Sequence, residues 1–164
     1  MEAITKEVEN AIAAGLYYLA IVTALSLPDV CSALESHDGK TSPTKYKVWY
    51  DAWMAARYPE ITSLDLYSLR CGVLHQGRLG NSRMQYGRVL FTVPNEQRNI
   101  FHRNVINDAL NLDAVQFCRD MIECVSTWCT AKQNDPNVQA NLPRLVQFRA
   151  NGMAPYIVGV PLIG

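Results

Sequence analysis

"TSLDLYSLRCGVLHQG", Thr62 to Gly77, reads as one helix, and the rest of the chain is understood outward from it. Thr62 or Ser63 can cap its start, and Asp65 in the first turn suits the positive end of the helix dipole. Leu64, Leu69, Val73 and Leu74 supply its apolar part. Gly77, with Gly80 beyond it, stops it. Two residues stand out on this mostly apolar helix: Arg70, and His75 five positions later.

The charge pattern around the pair is one-sided. From Leu66 to Asn95 there is no Asp or Glu, while Arg70, Arg78, Arg83 and Arg88 all fall in that stretch. Net charge is zero over 164 residues with 18% charged, so the whole surface is not built to hold nucleic acid or anionic lipid. A local positive field suited to phosphate is compatible with that balance. At about 100° per residue, five steps put His75 roughly 140° round the helix from Arg70. Convergence of the two is therefore expected only if the helix loosens near Gly72 or Gly77, or if a second copy of the helix packs alongside.

Upstream, "AIAAGLYYLAIVTALSL", Ala11 to Leu27, carries no charge. It reaches the lower edge of membrane-span length, but its flank holds Glu2, Lys6, Glu7 and Glu9, where a signal peptide would want net positive charge. A helix from about Ala3 to Leu25, buried on several sides, is expected, with Pro28 ending it and a short helix from Asp29 to Leu34 following. "SPTKYKVWYDAWMAARY" is a further helix, with Ser42 as cap and Pro43 at its first position.

Downstream the period changes. "QYGRVLFTVP", "NIFHRNVIND" and "ALNLD" read as short strands, a small hairpin or sheet around 85–112 packed on the helices. Asp113 to Ala131 has the 3,4 apolar spacing of an amphipathic helix. "AKQNDPNVQANLP" reads as a loop with weak helical character. The apolar tail, about 148–164, has prolines and glycines that exclude a helix and suit an extended arm. The length and globular composition fit a single domain over 1–164, mainly α.

Five cysteines, Cys31, Cys71, Cys118, Cys124 and Cys129, include no CxxC. Free thiols in a reducing cytosol are the expectation, with neither a metal site nor another cofactor. His37 and His102 read as surface residues. Ser68 has no evident base partner, and "GRLG" reads as a turn.

"LRCGVLHQG", within Tyr67 to Gly77, resembles the Arg-x4-His signature of the HEPN superfamily (higher eukaryotes and prokaryotes nucleotide-binding domains). That resemblance implies an antiparallel helical bundle with the β segment as an insertion. It implies a metal-independent endoribonuclease of cytoplasmic location whose site forms across a homodimer. It also implies a toxin or phage-defence role, with an antitoxin protein as partner and no membrane. RNA would be cut by attack of its own 2′-hydroxyl, with Arg70 and His75 as the catalytic residues and Arg78, Arg83 and Tyr67 toward RNA or its phosphates. The family commonly has a polar residue after the arginine, where this chain has Cys71, and Tyr two after the histidine in toxins silenced by tyrosine modification, where it has Gly77. The alternatives are a non-catalytic HEPN-like module binding nucleotide, RNA or a partner protein, or a structural dimer in which Arg70 is salt-bridged, for example to Asp65 of the other copy.

Overall fold

The charge-free stretch Ala11–Leu27 does not make one helix. In the computed structural model, which describes residues 1–79, 84–96 and 101–164, α1 spans Glu2–Ala13 and α2 spans Tyr17–Leu34. The break is Gly15, whose φ of +71° is open to glycine and costly to other residues. The backbone N–H groups of Gly15 and Leu16 close the end of α1 by donating to Ile12 and Ala11.

Pro28 does not end α2 but lies inside it, correcting the expectation of a stop there. A proline in a helix interior deprives the carbonyl four residues back of its donor, at a cost of ~3 kcal/mol in an isolated helix. Here the neighbouring groups are satisfied from the side: Tyr46 donates its hydroxyl to Leu25 O at 2.9 Å and Ser26 donates to Thr23 O at 2.7 Å. Burial offsets the rest, since Leu25, Leu27 and Cys31 are fully inaccessible and each large apolar side chain contributes ~1.5–3 kcal/mol.

That burial explains why α2 is apolar all round: it contacts α1, α3 (Pro43–Trp53), α4 (Ser63–Gln76) and α5 (Ala114–Lys132). By length and composition α2 could cross a membrane, yet 56% of that apolar window is buried inside the protein. Helix α3 starts as expected, with Ser42 Oγ accepting from Lys45 N at 3.2 Å and Pro43 at its first position. Trp49, Tyr46 and Tyr50 of α3 are buried in the shared core.

The β segment is a three-stranded sheet in the order β1 (Arg88–Thr92), β3 (Ala109–Asp113), β2 (Asn104–Ile106). β2 and β3 form an antiparallel hairpin through Asn107 and Asp108, both at positive φ, as a two-residue primed turn requires. β1 runs parallel to β3. β3 leads directly into α5, whose cap Asp113 accepts from Gln116 N at 2.7 Å. Phe91 of β1 meets Phe117 of α5 edge-on, so the sheet is sealed onto the helices.

Residues 136–144 are helical where a loop with weak helical character is expected. Asp135 caps α6 (Pro136–Asn141), accepting from Asn137 N and Val138 N, and a single 3-10 turn, Leu142–Arg144, follows. The Asp-Pro pair supplies both the cap and a first residue already fixed in φ. The tail forms two small ribbons, β4 (Phe148–Arg149) with β7 (Leu162–Ile163) and β5 (Gly152–Met153) with β6 (Ile157–Val158). The described chain is therefore mainly α, six α-helices with small sheets.

Candidate functional site

Helix α4 is a rigid bar. Thr62 Oγ1 accepts from Asp65 N at 3.1 Å, and the Asp65 carboxylate accepts in return from Thr62 N at 3.1 Å, a closed capping box. At the other end Gly77 takes the left-handed conformation, φ +62°, and the Arg78 N–H returns to Gly72 O at 3.0 Å. The helix is continuous between these caps, with no loosening near Gly72.

On this unbroken helix Arg70 and His75 nevertheless meet: Nη1 of Arg70 lies 3.1 Å from Nε2 of His75. The angular separation of the two positions, taken alone, predicts convergence only through a helix break or a second copy. The reach of the arginine side chain removes that demand, because a long flexible chain can lie along the helix to a residue well round its circumference. Arginine has no acceptor, so this contact uses the lone pair of His75 Nε2 and leaves the ring proton on Nδ1.

A third residue completes the arrangement. Arg70 donates through Nε to Asp29 Oδ2 at 2.6 Å, and both side chains are mostly buried, 19% and 13% exposed. Burial opposes the Arg70 charge, and the Asp29 carboxylate outweighs it, so the guanidinium is held above its ordinary pKa. Thr41 Oγ1 stands 3.3 Å from Asp29 Oδ1 and 2.7 Å from Ser32 Oγ, locking the carboxylate from its far side. The expected alternative partner, Asp65, is spent elsewhere: beyond the cap, its second oxygen accepts Gln85 N at 3.0 Å.

Asp29 is the residue that reading by motif missed. Its signal was present: it is the only charge between Ala11 and Leu34, one residue after a proline, in an otherwise apolar helix. A lone carboxylate in such a setting needs a cationic partner. The acid-free run Leu66–Asn95 is likewise acid-free only along the chain. Folding brings Asp29 to Arg70 at 2.6 Å, Asp65 to Gln85 N at 3.0 Å, and Asp108 to Gly87 N at 3.1 Å.

Tyr67 lies one turn before Arg70, which sits over its ring at 6.0 Å from the centroid. Tyr67 also packs edge-on against Tyr46, with centroids 5.3 Å apart. Burial and the hydrogen bond with Cys71 raise its phenol pKa. Cys71 Sγ lies 4.0 Å from Arg70 Nη1, so the thiol borders the guanidinium.

Arg78 does not join this cluster. It is exposed and lines a groove of about 930 Å³ beyond the end of α4, together with Arg88, Tyr18, Tyr86 and Asp108. Two arginines and two tyrosines in one groove offer charge for phosphates and ring faces for bases. Arg83 lies outside the described residues. His102 is not a free surface group: its Nδ1 accepts Asp113 N–H at 3.0 Å, and its ring abuts Tyr58.

Among the described residues no three His, Cys, Asp or Glu side chains gather as a metal would require. All five cysteines are unpaired. The arrangement offers a guanidinium with its plane fixed by a carboxylate, and beside it an imidazole whose Nε2 lone pair that guanidinium meets. Such a pair can hold an anionic oxygen and move a proton next to it. Comparison of the chain with protein-family models, with curated proteins and with solved structures finds no match in any of the three.

Proposed function

We propose that this chain is an endoribonuclease of HEPN type, a helical bundle whose Arg70 and His75 cut RNA without a metal. The observation that carries the reading is the 3.1 Å contact between Arg70 Nη1 and His75 Nε2. It brings the two members of the Arg-x4-His signature to one point.

In the proposed reaction the 2′-hydroxyl oxygen attacks the adjacent phosphorus. The O2′–P bond forms, the P–O5′ bond breaks, and the 2′ proton passes to a base. A proton is returned to the departing 5′ oxygen. The products are a 2′,3′-cyclic phosphate and a 5′-hydroxyl. His75 is suited to the proton transfers, typically worth ~10²–10⁴ in rate. Arg70 stabilises the charge that grows on the phosphorane oxygens. Asp29 is a positioning residue: it fixes the guanidinium through Nε, leaving the Nη end, which faces His75, for phosphate. A second copy would supply another imidazole, dividing the base and acid roles between two chains. Arg78, with Arg88, Tyr18 and Tyr86, would guide the strand in their groove, and Tyr67 backs Arg70. A cytoplasmic toxin or phage-defence role with an antitoxin partner belongs to the same reading.

The test is incubation of end-labelled RNA with the chain in excess EDTA. Cleavage to cyclic-phosphate ends, lost in H75A and R70A variants that keep the wild-type fold, is the expected result. Equal activity in both variants overturns the reading.

Two observations favour a second reading, a non-catalytic HEPN-like module that binds RNA, nucleotide or a protein partner. Arg70 is already engaged by Asp29, and Cys71 follows it where a polar residue is common in the family. Salt-dependent RNA binding without cleavage distinguishes it.

A further inference from the structure

The far side of Asp29 opens into a pocket. Asp29 and Thr41 line one end of a cavity of about 470 Å³ between α2, the turn at residues 38–41 and the 3-10 turn after α6. Its volume falls within the range of small-molecule sites. Val30, Ala33, Leu34 and Leu145 make an apolar wall. Lys40 and Arg144 stand at its rim, both exposed.

The pocket is lined by two acids and two cations, and both acids are paired with cations from outside it. Asp29 is paired with Arg70 at 2.6 Å, and Asp38 with Lys45 at 3.5 Å and with Lys40 N at 3.1 Å. Among the described residues Lys40 and Arg144 are in no ion pair. Two acids are thus answered and two cations are left over, which favours an anion at the rim.

The pocket is also built, not merely left open. Asn141 is 7% exposed and donates its side-chain amide to Leu34 O at 3.1 Å and Ser36 O at 2.8 Å. Its oxygen is therefore turned outward, where it accepts Arg144 Nη1 at 3.3 Å. Gly39, at φ +67°, approaches so closely that a Cβ there would lie 3.0 Å from the same oxygen. The arginine is pre-oriented, and the turn beside it favours glycine by its positive φ and its close approach to Asn141.

We infer that this pocket is a nucleotide subsite for the strand held at Arg70. A base lies on the Val30–Ala33–Leu34–Leu145 wall, and its phosphate meets Lys40 and Arg144. The inference rests on the ribonuclease reading for its role, since it names single-stranded RNA extending past the scissile phosphate as the substrate. The pocket's binding stands on its own observations.

Two measurements on the full chain test it and separate its failure from failure of that reading. Amide NMR titration with adenosine and uridine 3′-monophosphates is expected to shift Val30, Ala33, Gly39 and Thr41, and the shifts disappear in K40A/R144A. Steady-state cleavage by K40A/R144A is expected to show KM raised about tenfold, two charge-assisted phosphate contacts being lost, with the loss on KM and not on kcat. If H75A is inactive but K40A/R144A cleaves with wild-type KM, the subsite is overturned and the ribonuclease reading stands. If the wild type cleaves nothing, the NMR arm alone decides: shifts that depend on Lys40 and Arg144 uphold nucleotide binding, and their absence overturns it. Inorganic phosphate producing the same shifts at the same concentrations overturns the nucleotide assignment.

Discussion

The Arg70 guanidinium joins Asp29, 41 positions earlier, to His75, five positions later: Nε to Oδ2 at 2.6 Å and Nη1 to Nε2 at 3.1 Å. The signature pair therefore depends on a carboxylate from another helix. Removing that carboxylate strands a mostly buried cation. Asp29→Ala is expected to cost about 2 kcal/mol, below the ~3–5 of a fully buried pair because both groups keep some exposure. The melting temperature should fall by about 4–8 °C. Misplacement of the guanidinium should lower kcat by up to ~10²-fold. Asp29→Asn, able to keep the Thr41 contact, should lose less stability. Thermal melts and single-turnover cleavage of the two variants check this, and wild-type values for both would remove Asp29 from the account.

Thiol reactivity should sort by position. Burial pushes the Cys118 thiol up to about 12 and Cys31 well above its ordinary range, and both are inaccessible. Cys71 is half-buried and borders Arg70. In the native chain near pH 8, Cys71 should react with an aromatic disulfide reagent long before Cys31 and Cys118 do. Its adduct should block RNA cleavage by crowding Arg70. Peptide mass mapping against reaction time reads the order, and early modification of Cys31 would contradict it.

High pH should unfold the chain through its tyrosines. Burial raises Tyr46, Tyr50 and Tyr58 above the ordinary phenol value, and each is wholly inaccessible. A folded pKa above the unfolded one means stability is fully present below about pH 10 and falls as pH rises past that value. Melting temperature should be flat in this respect to about pH 9.5 and then drop. Tyr50→Phe should flatten that drop. The same change removes hydrogen bonds to Tyr58 O and Ile61 O and should cost about 1–3 kcal/mol at neutral pH.

Asp65 is a structural residue by this account. It takes Thr62 N and Thr62 Oγ1 on one oxygen and Gln85 N on the other, while 2% exposed. Asp65→Ala should cost more than the ~1 kcal/mol typical of a lost cap, because a buried backbone donor loses its partner too. Chemical denaturation checks this, and a change under ~0.5 kcal/mol would contradict it.

Elements set by local chemistry were legible in the chain. Ser42-Pro43 opens α3, Thr62 with Asp65 opens α4, and the apolar period of 114–131 marks α5. What was not legible depended on tertiary burial. Pro28 reads as a stop, but a helix packed against five others gains enough from burial to keep its course. Gly15 lies in a run apolar enough to read through, and only its positive φ reveals the turn. Arg70 and His75 were found by their spacing. Their contact was not, because helical angles describe Cβ directions and ignore side-chain reach. Asp29 was hidden by distance along the chain, although its isolation in an uncharged helix pointed to a partner.

The central claim is tested most directly by product analysis of single-stranded RNA incubated with the wild type, R70A and H75A in excess EDTA. The account predicts 2′,3′-cyclic phosphate and 5′-hydroxyl ends from the wild type. It predicts a loss of at least ~10²-fold in both variants, with circular dichroism unchanged. Cleavage at the wild-type rate by both variants would contradict it.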